Sequence, residues 1–145
     1  MKAKFLSVLL ALTMVLSLLP TAALAEDKTV STEEELKQAI ESVSDGDTIT
    51  VSGTIEVNAP LVVKNTVTLT GGSIVASDTF SSTSGDFTKY NLISLQTPEK
   101  TLTLKDIILD AKGKTLVVYC NAGKVVVDGA TITGGKTSSY VAAST

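Results

Sequence analysis

The sequence predicts an all-β fold, a solenoid of stacked parallel coils with one amphipathic helix over its N-terminal end. Three observations predict it. From residue 48 onward, apolar and polar residues alternate with period two, as in TITVS, TVTLT, TLTLK and KVVVD, the mark of a half-buried strand. The segment from Lys124 repeats the apolar pattern of the segment from Thr101 at an offset of 23 residues, a spacing typical of solenoid repeats. Finally, the apolar pieces come in threes, and no Asn-Gly or Asp-Gly pair is placed to fold one strand straight back on the last.

Residues 1–25 read as a secretory signal peptide. Lys2 and Lys4 precede an apolar run over 5–19, then Pro20, then Ala23-Leu24-Ala25. The run is shorter than the ~20 residues of a membrane span, and small-x-small is a cleavage pattern. The expectation is export, with a mature chain starting near Glu26 and no membrane span after cleavage. Residues 26–145 then form one domain.

That domain opens with a helix over about 32–44. Leu36, Ala39, Ile40 and Val43 make one apolar stripe. Ser31 or Thr32 can cap it, with Glu34 or Glu35 completing a capping box, and Asp45-Gly46-Asp47 turns the chain. Coils follow over 47–145. First strands carry Ile49/Val51, Val67/Leu69, Leu102/Leu104 and Val125/Val127. Second pieces carry Ile55/Val57, Ile74, Ile107/Leu109 and Ala130/Ile132. Third pieces carry Leu61/Val63, Ile93/Leu95, Leu116/Val118/Cys120 and, weakly, Val141/Ala143. The 23-residue offset puts Val67, Leu102 and Val125 in one inward column and Leu69, Leu104 and Val127 in another. It also carries Ile93 to Leu116 and Leu95 to Val118. The interval from Val67 to Leu102 is 12 residues longer, an excess assigned to a loop insertion at about 77–90. The interval from Ile49 to Val67 is only 18, which implies that the first coil is tighter or its register imperfect.

The whole chain has 12 basic residues, all lysine, against 15 acidic ones, and no His or Trp. Nucleic acid is excluded as a partner, because phosphate recognition needs clustered positive charge. Cys120 is the single cysteine, so no intramolecular disulfide forms and Cys120 reads as a small buried hydrophobe. Gly71-Gly72 and Gly134-Gly135 read as coil corners, since no P-loop or dinucleotide spacing surrounds them.

The capped helix STEEELKQAIESVSDGDTITV, followed by NTVTLTGGSIV and KVVVDGATITGG, resembles the pectate-lyase-like right-handed parallel β-helix, particularly the repeat-containing secreted surface proteins of Gram-positive bacteria. The resemblance covers 31–145. It implies a right-handed, single-stranded parallel β-helix whose open end is covered by the N-terminal helix. It also implies where chemistry would lie. Lyases of this fold use an Arg or Lys base beside calcium-holding aspartates, and its hydrolases use aspartate clusters. The candidate carboxylates here are Asp106, Asp110 and Asp128. On the 23-residue stacking, Asp106 lies by Gly129, Asp110 by Thr133 and Asp128 by Lys105, so no two acids share a column, whereas a glycosidase pair faces one bond at ~5–9 Å. Asp106 and Asp128, diagonal neighbours, are the one calcium candidate, against a plain surface pairing of Asp128 with Lys105.

Outward threonines at 48/50, 66/68 and 101/103 read as exposed-strand preference, and Tyr90, Tyr119 and Tyr140 make a thin platform for sugars. The expectation is therefore a secreted or cell-wall-associated, non-catalytic solenoid, a binding or structural module of adhesin type. It would need no cofactor and would take a polysaccharide or another surface protein as partner. The alternative is the N-terminal part of a polysaccharide lyase or glycoside hydrolase with active coils beyond residue 145. The coil ends near Thr145 without a visible cap, so end-to-end association is a further expectation.

Overall fold

The computed structural model describes residues 24–83, 86 and 89–136. The signal segment up to residue 23, part of the insertion, Tyr140 and the Val141/Ala143 piece lie outside the described residues.

The helix forms where its caps dictate. Helix α1 spans Glu33–Ser42, with Thr32 as N-cap accepting from the Glu35 N–H while the Glu35 side chain accepts from the Thr32 N–H. Glu35 also accepts from the Ser31 N–H and hydroxyl. These bonds hold its carboxyl below the usual range. Leu36, Ala39, Ile40 and Val43 are all buried, and α1 packs on the first strands of the coil.

Among the described residues twelve strands follow the expected threefold rhythm, with one addition. β1 (Asp27–Val30) precedes the helix and pairs with β2 (Asp47–Val51). It was not legible in the pattern, because only Val30 of its four residues is buried. The coils run β2, β3 (Thr54–Val57), β4 (Leu61–Val63); β5 (Val67–Thr70), β6 (Ser73–Ala76), β7 (Asn91–Leu95); β8 (Thr101–Lys105), β9 (Ile108–Asp110), β10 (Leu116–Cys120); then β11 (Lys124–Asp128) and β12 (Thr131–Thr133). They stack into three sheets ordered β1-β2-β5-β8-β11, β3-β6-β9-β12 and β4-β7-β10. Every strand pair is parallel. The chain is thus a parallel β-solenoid of about four turns.

The core is the set of inward columns. Val67, Leu102 and Val125 align, as do Leu69, Leu104 and Val127, at the predicted register. Ile55, Ile74, Leu109 and Ile132 make a second-face column. Stacking like residues at the ~4.8 Å strand spacing buries them without a second sheet layer. Leu69, Leu102, Leu104, Ile74 and Leu109 have no exposed surface.

Two registers correct the sequence reading. Ile49 pairs with Leu69, and Asp47 with Val67, so the first interval is 20 rather than 18. On the third face, Ile93 pairs with Val118 and Leu95 with Cys120, an offset of 25 rather than 23. The 12-residue excess is therefore divided. Most lies in the expected insertion, where 77–90 replaces the short corner 112–115. The remainder lies in the next corner, where 96–100 replaces 121–123. That shorter last corner returns β11 to the 23-residue register on the first face.

Candidate functional site

Asp47 opens β2 and is 3% exposed. Its carboxylate accepts from the Glu26 N–H at 2.9 Å and the Ser44 N–H at 2.8 Å, which hold it below the ordinary aspartate range. It ties the strand start to the end of the helix. At a neighbouring corner, Asp45 is lowered by the hydrogen bond from Lys100 and by that from the Thr66 N–H. Thr66 Oγ1 in turn accepts from the Thr101 N–H at 3.2 Å. These acids brace successive coils.

The acids singled out for chemistry are spread along the stack. Asp110 pairs with Thr133, and Asp128 with Lys105. Among the described residues no ion pair joins Lys105 to Asp128. Asp106, at φ 47°, does meet the next coil: its N–H donates to the Asp128 carbonyl at 2.9 Å. Its carboxylate fills the place of a side chain at Gly129, where an added Cβ would collide with Asp106 Oδ1. Asp106 and Asp128 are therefore joined through backbone. Among the described residues, no group of three His, Cys, Asp or Glu side chains is gathered in metal-ligating fashion. Calcium, which takes six to eight oxygens, would draw on more than these two acids. Asp110 Oδ1 is engaged by the Lys112 N–H at 2.8 Å. Lys112 reaches across to Glu56 at 3.0 Å, and this bond raises its pKa.

Cys120 is half-buried in the third-face column beside Leu95, consistent with its reading as a small hydrophobe. Tyr119 lies beside Ser94, and Tyr90 ends the insertion. Gly72 confirms one corner: its φ is 42°, and an added Cβ would strike the Gly53 and Val51 carbonyls.

The outer surface of the first face is a threonine array, in a register different from the one expected. Thr48, Thr68 and Thr103 form one row; Thr29, Thr50 and Thr70 form a second, followed by Lys105 and Asp128. Each hydroxyl can donate and accept, and rows at strand spacing repeat every ~4.8 Å. A separate groove of about 490 Å³ lies between α1 and β4, lined by Lys37, Glu41, Val62, Lys64 and Asn65 among others. The sequence hint was Val62, an apolar residue at an outward strand position. Lys37 in this groove is bound to Glu33 at 2.7 Å. Burial would raise the Glu33 pKa, but hydrogen bonds from Lys37 and Asn58 outweigh it and lower it.

No family model, curated protein or solved structure matches the chain. Among the described residues no helix is long and apolar enough to cross a membrane.

Proposed function

We propose that this chain is an exported, non-catalytic β-solenoid that serves as a binding or structural module at the cell surface, coiled right-handed in the manner of the pectate-lyase-like β-helices. Parallel strands joined by a crossover are right-handed in about 98% of cases, which supports the hand. The observation that carries the reading is the separation of the acids into different columns. Asp106 lies by Gly129, Asp110 by Thr133 and Asp128 by Lys105. No two of these carboxylates share a row, which supports a non-catalytic reading over a paired-carboxylate glycosidase site. The surface best suited to a ligand is the threonine array, whose flat, regularly spaced hydroxyls match the repeating hydroxyls of a polysaccharide.

The test is to incubate the chain with pectin and other cell-wall polysaccharides, with and without calcium. Retention on polymer without release of unsaturated or reducing ends supports the proposal. Product release that depends on Asp106 or Asp128 overturns it. Replacing Thr68 by lysine, between the neutral Thr48 and Thr103, is expected to reduce retention while leaving the melting temperature nearly unchanged.

A further inference from the structure

The coil takes hold of the chain at Glu26, the residue before β1. Its N–H donates to Asp47 Oδ1 at 2.9 Å, and its carbonyl accepts from the Thr48 N–H at 3.0 Å. Asp47 is nearly buried, and its second carboxylate oxygen accepts from the Ser44 N–H at 2.8 Å. Among the described residues no ion pair reaches this carboxylate. Lys28 on β1 acts on it only through space, because its own Nζ donates to Ser42 Oγ at 3.1 Å. Asp45, in the same turn, is taken by Lys100. A buried carboxylate held by neutral donors alone gains from a cation at hydrogen-bonding distance.

The sequence places a latent cation there. The signal-peptide pattern ends in Ala23-Leu24-Ala25, so the scissile bond is Ala25–Glu26. Leu24, Ala25 and Glu26 are exposed. Hydrolysis by a signal peptidase breaks that amide. Water supplies a hydroxyl to the Ala25 carbonyl carbon and a hydrogen to the Glu26 nitrogen. The freed amine takes a further proton from solvent, since α-amino groups titrate near about 7.7–8.0. The nitrogen that donates to Asp47 as a neutral amide thereby becomes an ammonium in the same place. Charge-assisted hydrogen bonds are roughly twice as strong as neutral ones. The cleavage pattern and the hydrogen bond to Asp47 single out one nitrogen independently. We propose that removal of residues 1–25 creates an ion pair between the Glu26 α-ammonium and Asp47, so that the fold gains this tie only after processing. The inference rests on the exported reading given above.

The full chain is expressed in a secreting bacterial host, and the exported product is sequenced from its N-terminus. Glu26 is expected as the first residue. That product is then compared with the same protein acetylated selectively at its α-amine, which restores an amide N–H and removes only the charge. In urea denaturation at neutral pH the acetylated protein is expected to have an unfolding constant about tenfold larger. The contribution is present while the amine is charged and is lost as pH rises and the amine deprotonates in the fold, so the gap closes in alkaline solution. Asp47→Asn is expected to remove the gap at neutral pH. If that variant does not fold, the pH dependence of the gap decides. Retention of the whole chain in the cell overturns the exported reading and the proposal with it. A product that starts at another residue overturns the proposal alone, as does a product that starts at Glu26 and is indifferent to acetylation, or a gap unchanged by both Asp47→Asn and alkaline pH.

Discussion

At Asp47 the chain trades charge for order. The carboxylate is nearly buried and accepts two backbone N–H bonds, so its folded pKa lies below the unfolded value near 3.9. The unfolded state then binds more protons as pH falls. The stability that Asp47 supplies is complete above the unfolded pKa and is lost as pH falls through the folded one. Acid unfolding followed by circular dichroism should show a decline beginning near pH 4, and Asp47→Asn should be less stable at neutral pH and flatter in that window. Thr115 makes the opposite case. It is fully buried, and its hydroxyl has no partner among the described residues. An unsatisfied buried hydroxyl costs about 1–3 kcal/mol, so Thr115→Val is expected to raise stability by about 1 kcal/mol in urea denaturation.

Elements explain both what the sequence disclosed and what it hid. The columns Val67–Leu102–Val125 and Leu69–Leu104–Val127 were legible because apolar residues recur at one offset on both sides of the turn. Helix α1 was legible because its stripe and its capping box agree. The two misplaced registers, Ile49 beside Leu69 and Leu95 beside Cys120, are both slips of two residues. Inward positions repeat every two residues, so such a slip keeps every apolar side chain inside and leaves the alternation unchanged. What fixes the register is corner length, set by backbone turns that the apolar pattern does not encode. For the candidate site, the separation of Asp106, Asp110 and Asp128 was legible because it depends only on the 23-residue interval. The true threonine rows were not, because they inherit the slip at β2. Two stability measurements follow. Leu104→Ala, in the middle of a buried column, should cost about 2–5 kcal/mol. Thr32→Ala, which removes the cap of α1, should cost about 1 kcal/mol.

Among the described residues each coil packs mainly on its neighbours, so stability is approximately a sum of coil and interface contributions. Among the described residues, Lys112 to Glu56 and Lys100 to Asp45 are ties that skip a coil. Helix α1 packs against β1 to β4 at the N-terminal end of the stack, and β11 is the last described strand of the first sheet. All of it depends on the coil register. That register separates the acids into different rows. The direct measurement is a set of inter-strand nuclear Overhauser contacts on the isotopically labelled chain. The account predicts parallel-strand contacts linking Leu69 to Leu104 and Leu104 to Val127, with Leu95 beside Cys120. Antiparallel contacts between consecutive strands, or a register that brings Asp106 and Asp128 side by side in one row, would contradict it.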